Sequence, residues 1–326
     1  MKTTRQITEA GLFAGILVIF IVGSFYIPLI GSALYLLAPL PLVLLSIRNT
    51  KVNVVVAGIV AMIISSLLVS ATVGVSMGLM ALLIGLPLGL SIKRFDTPLK
   101  AIGIGVLGGV IALLVTLGVL TLIMGVSFED TLDQMFETSK SMQTEMDKMV
   151  ESYAKVLSTE QQAQIKANLE DQAKIMDNML TVVKLIIPAG LILMACMLSA
   201  LNYFAAIPIL RRLKIAHRPL GDFRYFTYPK HLAYGSAAML LGAYLLGTYE
   251  VVDFGAVMLN FIYLFMILFY VQGLAVGYFF FRKSLSKGVT IAILTVLSLF
   301  GLMAYISLIG FMDVMIDVRR LQPKKR

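Results

Sequence analysis

Charge is scarce in this chain: Asp, Glu, Lys and Arg make up 14% of its 326 residues, against 59% hydrophobic ones. Ordinary soluble domains carry roughly 25% charged residues. With a mean hydropathy of +0.91, a water-soluble fold is excluded, because it could not hide so much apolar surface. Cysteine occurs once, as Cys196 inside an apolar run. No intramolecular disulfide can form, so any part of the chain outside the membrane must be stable without one; the thiol is expected to be packed and unreactive. Histidine occurs twice, as His217 and His231, with no ligand-type cluster between them, which argues against a metal site. HExxH, P-loop, nucleophile-elbow and kinase signatures are all missing. The chain is therefore read as non-enzymatic and without a cofactor, and an enzyme acting on a lipid-linked substrate ranks behind the readings below.

What is present is apolar sequence in lengths that suit a bilayer, where a helical span needs about 20 residues. Nine runs qualify as candidates: 7–26, 31–47, 52–71, 73–92, 99–126, 179–210, 232–248, 254–281 and 289–312. Lys2 and Arg5 before the first run imitate a signal peptide. That run is too long for a signal core, however, and Pro28 follows it instead of a small-residue cleavage pattern, so it is expected to be an uncleaved first span. Positive charge should gather in cytoplasmic loops. Arg48 and Lys51 follow the second run, Lys93, Arg94 and Lys100 the fourth, Arg211 to Lys230 the sixth, and Arg282, Lys283 and Lys287 the eighth. A cytoplasmic N-terminus puts all of them inside, whereas the loop after the seventh run carries Glu250 and Asp253. Nine crossings would leave Arg319, Arg320, Lys324, Lys325 and Arg326 outside, against the rule. Gly301 and Gly310 interrupt the last run, which marks it as a re-entrant or split segment and the tail as cytoplasmic.

Residues 127–178 break the apolar pattern, with 11 acidic residues and 5 lysines. The net −6 of this segment leaves net +15 for the rest, where the basic residues line short loops, so nucleic acid is not implied. Ser127 with Asp130 and Ser158 with Gln161 are capping-box spacings for two helices. Met135, Ser139, Met142, Met146, Met149, Tyr153 and Val156 form a heptad seam, continued by Ile165, Leu169, Gln172, Met176 and Met179. The spacing predicts an antiparallel helical hairpin outside the cytoplasm, with the Met seam packing the arms together; self-association through it is the functional alternative.

Gly103, Gly105 and Gly108 match the GxGxxG dinucleotide fingerprint, but no strand precedes them and they lie in an apolar run, so close helix packing is the reading. The same holds for Gly74/Gly78 and Gly85/Gly89. Polar residues inside the runs carry more information, because lipid penalises them. Asn202, Asn260 and Gln272 are candidates for ligand contact or for interhelical hydrogen bonds. Lys184 is expected to snorkel. Asp313 and Asp317, one turn apart beside Arg319 and Arg320, are candidates for ion handling or an internal salt bridge. The basic loop 211–231, with Arg211, Arg212, Arg218, Arg224 and Lys230 among Phe223, Tyr225, Phe226 and Tyr228, is expected to meet anionic lipid headgroups or a soluble partner.

Two resemblances enter on these residues. Ala10 and Ala14, with Gly11 and Gly15 beside them, resemble the first helix of the substrate-binding S components of energy-coupling-factor transporters. That likeness covers roughly the first 125 residues, through Pro39 and Pro41 and the Gly-rich fourth run, and implies that the small face docks on a transmembrane coupling subunit. Over its whole length the chain more closely resembles the YybS-like family of bacterial membrane proteins. The carrying features are Asn202-Tyr203, Arg211-Arg212, Pro219 to Pro229, Asn260, Gln272 to Ala275, and the ending Gly310 to Asp313 with Asp317 to Arg319. This implies an S-component-like core with added C-terminal spans. The expectation is thus an all-α integral membrane helical bundle of the bacterial plasma membrane with about eight or nine transmembrane helices. It divides into 1–126, the hairpin 127–178, and 179–326. The leading function is binding of a small solute or lipid as a transporter subunit; the rival is a scaffold for envelope or signalling partners.

Overall fold

The computed structural model describes residues 2–125, 128–154, 159–249 and 254–321. The described elements are all helical, with no strand among them, as a bilayer demands: without water, a spanning segment must satisfy its own backbone groups. The chain is an all-helical membrane bundle. Among the described residues seven helices are long and apolar enough to cross a membrane, or eight when one bent pair counts as a span. Two compact units form, one of Met1–Lys184 with Gly190–Arg218, the other of Leu185–Ala189 with Pro219–Arg326.

In the first unit, α1 (Lys2–Tyr26), α4 (Lys51–Leu68), α5 (Ala71–Lys93) and α6 (Pro98–Met124) are single long helices. Short loops separate α4, α5 and α6, and each begins on a hydroxyl cap: Thr50, Ser70 and Thr97 accept from the N–H three residues on, satisfying one of the orphan donors of a first turn. Run 31–47 is not one helix but two, α2 (Gly31–Leu36) and α3 (Leu40–Arg48). Pro39 has no N–H to give, so three-residue bonds from Ala38 to the Tyr35 carbonyl (3.2 Å) and from Leu40 to that of Leu37 (3.0 Å) replace the ladder. Leu40 to Ile47 are all buried, making α3 the centre of the unit. Glycines bring the other helices close. A Cβ on Gly89 of α5 would overlap the Val43 carbonyl of α3, and one on Gly108 of α6 would overlap the Leu83 carbonyl. Pro87 leaves that Leu83 oxygen without its helical partner. The GxGxxG match is therefore packing surface, although Gly103 itself faces open space.

The polar segment forms α7 (Phe128–Ala154) and the first part of α8 (Thr159–Arg212), a helix of 54 residues that carries the chain without a break into the sixth apolar run. Lys184 pairs with Asp133, 51 residues earlier, and its ammonium sits 4.9 Å from the Phe136 ring centre, which sets the two arms antiparallel. The seam is not covered where it is described: Met146, Met149, Met176 and Met179 are exposed. Ser127 and Ser158, the expected capping serines, lie outside the described residues, as do Glu250, Asp253, Lys324, Lys325 and Arg326.

The second unit holds α9 (Lys230–Thr248), α10 (Phe254–Phe281), α11 (Lys287–Leu299) and α12 (Met303–Ile316). Run 232–248 becomes α9 but is absent from the helices apolar enough to span, and run 289–312 is α11 and α12, bent by 118°. The break falls at Gly301, whose φ of +76° suits glycine alone; Gly310, the other expected interruption, sits inside α12. There α12 runs parallel to α10. Ser307 Oγ donates to the Met266 carbonyl (2.6 Å) and Gln272 Nε2 to Asp313 (2.7 Å), both at a separation of 41 residues. With that offset Met303 stands level with Ile262, eight residues or about 12 Å short of the start of α10.

Candidate functional site

Three places in the bundle concentrate polar groups. In the first unit a cleft of about 300 Å³ lies between the end of α1, α2 and the start of α5, lined by Ser24, Phe25, Tyr35, Thr72, Val73, Ser76 and Met77. Its size is at the lower end of small-molecule sites, about 300–1,000 Å³. No charged side chain lines it. Ser24 Oγ donates to the Ile21 carbonyl (2.7 Å) and lies 3.5 Å from the Met77 sulfur, and Ser76 Oγ donates to the Thr72 carbonyl (2.6 Å). Tyr35 spends its hydroxyl only on the Met80 sulfur at 3.9 Å, a weak acceptor that a ligand oxygen would outcompete. These hydroxyls escaped the sequence reading, since Ser and Thr within apolar runs commonly bond to their own helix, as Ser24 and Ser76 do.

The opposite end of this unit is charged. Glu9 forms an ion pair with Arg48. Asn49, next to Arg48 and buried, donates to the Gln6 carbonyl (2.9 Å) and accepts from Thr50 N–H (2.8 Å) and Asn53 (2.8 Å). Lys93 donates to the Asn49 carbonyl (3.3 Å). Asp96, in the loop before α6, accepts from Lys100 (2.7 Å) and Ser91 (2.7 Å); those bonds, Lys100 first, hold its carboxyl below its ordinary value. Gln6 and Ser24 stand 18 residues apart on α1, so the cleft and this polar end are separated by about 27 Å of helix.

The second unit contains a buried network. Asp313 accepts from Arg319 through Nη2 (2.8 Å), Nε (3.0 Å) and the backbone N–H (3.1 Å), and from Gln272 Nε2 (2.7 Å). Asp313 and Arg319 are 3% and 5% exposed and Gln272 is fully buried, so each charge is compensated where an unpaired one would be very costly. The free edge of Arg319 donates to the carbonyls of Arg224 (2.8 Å) and Phe226 (2.7 Å), and Gln272 Oε1 accepts from Tyr228 N–H (3.1 Å). Loop 222–228 is thereby fastened to the ends of α10 and α12. Arg224 Nη2 in turn reaches the Arg282 carbonyl (3.4 Å). The chain thus leaves α10 and leaves α12 at one end of this unit, and α11 and α12 form a bent pair with Leu299 and Phe300 exposed at its turn.

The sequence candidates separate in the fold. Ala10 and Ala14 are buried in the core with Leu17, Ala57 and Ala61, whereas Gly11 and Gly15 have nothing within 4 Å of where a Cβ would stand. The expected single docking face is two faces, one internal and one open. Asn202 is fully buried and donates to the carbonyls of Leu36 (2.9 Å) and Leu198 (2.8 Å), the first of which the Pro39 break leaves without a helical partner. Asn260 accepts from Ala189 N–H (2.8 Å) and donates to the Leu185 carbonyl, 2.6 Å. Asn260 thus bonds the N–H and the carbonyl of one turn of α8 beside Pro188. Asp317 does not join Asp313: it is the left-handed C-cap of α12 and accepts from Leu321 N–H (2.8 Å). Of the basic loop, Arg211, Arg212 and Arg218 belong to the first unit and Arg224 and Lys230 to the second. No group of three His, Cys, Asp or Glu side chains suits a metal ion among the described residues.

The chain belongs to the DUF2232 family of predicted membrane proteins, whose family model matches residues 15–314. No curated protein and no solved structure matches it.

Proposed function

We propose that this protein is a non-enzymatic, multi-pass protein of the bacterial plasma membrane that binds a small uncharged solute in the cleft beside Tyr35. The observation that carries this reading is the cleft itself: a concave site of about 300 Å³ with hydroxyl groups, an aromatic ring and no charge, the composition expected of a small-molecule pocket. An N-terminus in the cytoplasm follows from the positive-inside rule, because Arg48, Lys93 and Arg94 lie at the α1 start and the cleft at the α1 end. The cleft then opens outward, as a solute-capturing subunit requires. The resemblance to S components fits this arrangement, with the open Gly11 and Gly15 stripe as the face for a coupling subunit.

Mass spectrometry of compounds released from protein purified out of native membranes tests the reading. An uncharged small molecule should be released by the parent chain and lost from Ser76→Phe, which fills the cleft. Release of the same compounds from both would remove the cleft from the mechanism. The scaffold reading keeps one observation in its favour, the exposure of Met146, Met149 and Met176 on the hairpin, since Met-rich surfaces suit adaptable partners. Envelope or signalling proteins that co-purify through residues 128–178, with no bound solute, would select it.

A further inference from the structure

Three cations of the second unit, Arg224, Arg282 and Lys283, have no ion pair among the described residues, although Asp222 Oδ1 accepts from the backbone N–H of Arg224 (3.0 Å). Asp313, the carboxylate buried beside them, is fully engaged by Arg319 and Gln272, and among the described residues no carboxylate lies within ion-pair distance of Arg224, Arg282 or Lys283. Arg224 is the least satisfied of them. Its Nε is out of reach of solvent and has no hydrogen-bond partner, and its one side-chain bond is the long one to the Arg282 carbonyl. Arg282 turns Nη1 onto the Leu285 carbonyl (2.7 Å), which sets its guanidinium beside the first turn of α11, where Ser286 caps and Lys287 follows. Lys283 stands over the rings of Phe279 (4.8 Å) and Phe280 (4.9 Å).

Aromatic rings gather at the same end of α10. Phe223 packs edge-on against Tyr278 (5.9 Å) and Tyr225 against Phe279 (6.3 Å), so the short turn Phe223–Tyr225 lies on the end of α10 with half-exposed rings. A belt of aromatic rings with arginine and lysine at a helix end is the composition of the headgroup layer. A guanidinium is suited to a phosphate because it offers paired N–H donors in one plane, and a helix N-terminus adds its unpaired N–H groups and dipole. We propose that Arg224 and Arg282, with Lys283 and the first turn of α11, form a phosphate-binding site where the chain passes from α10 to α11, occupied by the headgroup phosphate of an anionic lipid.

Native mass spectrometry of the full chain released from detergent tests this with three probes: phosphatidylglycerol, phosphatidylcholine and inorganic phosphate. The expected result is retention of phosphatidylglycerol at least about tenfold over phosphatidylcholine. Arg224→Gln with Arg282→Gln should abolish that preference, while Arg211→Gln with Arg212→Gln, which removes equal charge from the first unit, should keep it. Inorganic phosphate that binds the parent chain and displaces the lipid would support the site with free phosphate as its source. Equal retention of both lipids by the parent chain, or a preference that survives Arg224→Gln with Arg282→Gln, would overturn the proposal. Should that double variant fail to elute as a folded species, the comparison of probes on the parent chain and the charge-retaining Arg224→Lys, expected to weaken retention without abolishing it, decides the matter.

Discussion

Gly273 of α10 and Gly310 of α12 meet backbone to backbone: a Cβ on Gly310 would stand 2.5 Å from the Gly273 nitrogen, and one on Gly273 would overlap the Ile306 carbonyl. Small residues at such a crossing let dispersion act between backbones where lipid offers no hydrophobic drive to association. Gly310→Val must separate the helices and with them the pairing of Gln272 and Asp313. A loss of about 1–3 kcal/mol is expected for overpacking of this kind, read as a lowered midpoint of thermal unfolding in detergent. Gly301→Ala, at a left-handed turn with open space around it, should cost less, about 1 kcal/mol.

Arg319 and Asp313 form a compensated pair, so removing one member should be worse than removing both. Asp313→Leu is expected to destabilise by about 3–5 kcal/mol because it strands a buried guanidinium, and adding Arg319→Met should recover part of that loss. Thermal unfolding of the two single variants and the double variant gives the coupling directly. Full additivity would show that the pair is not held as described.

The two ends of the bent pair α11 and α12 should label from one side. In a Cys196→Ala background, cysteines at Ser284 and Arg320 are expected to react with a membrane-impermeant maleimide only after the cytoplasmic face is opened. A cysteine at Phe300, 79% exposed at the apolar tip, should stay unreactive, since thiolates do not form in lipid. Labelling of Arg320→Cys from outside intact cells would show a complete last crossing.

The two faces of α1 should respond differently to bulk. Ala10→Leu and Ala14→Leu enter a packed core and are expected to lower stability by about 1–3 kcal/mol. Gly15→Leu enters open space and should leave stability near that of the parent, while removing any partner that docks on this stripe. Pull-down from native membranes, compared with thermal unfolding, separates the two effects.

Acid should loosen the loop before α6. Folding depresses the Asp96 carboxyl, chiefly through Lys100 and then Ser91, so its contribution is present above the ordinary carboxylate value and fades as pH falls through the lowered one. The difference in unfolding midpoint between the parent and Asp96→Asn should therefore be largest near neutral pH and shrink in acid. A difference that is constant with pH would detach the effect from Asp96 ionisation.

Membrane residence, helical class and the helical character of the acidic segment were legible in the sequence, because each depends on local composition alone: apolar length, charge density and the period of a stripe. The doubt about the last run was legible for the same reason, as five basic residues stood on the wrong side of a ninth crossing. Tertiary structure alone decided how that run folds. Gly301 turns the chain, and Arg319 and Arg224 tie its two ends to one level, through contacts 95 residues apart that no periodicity encodes. The same holds for Ala10 and Gly11, neighbours in one small-residue stripe, which a helical rotation of about 100° per residue sends to different surroundings. The cleft was invisible for a further reason. Ser24, Tyr35, Thr72 and Ser76 are ordinary occupants of apolar helices, and only the packing of α1, α2 and α5 brings these residues around one space.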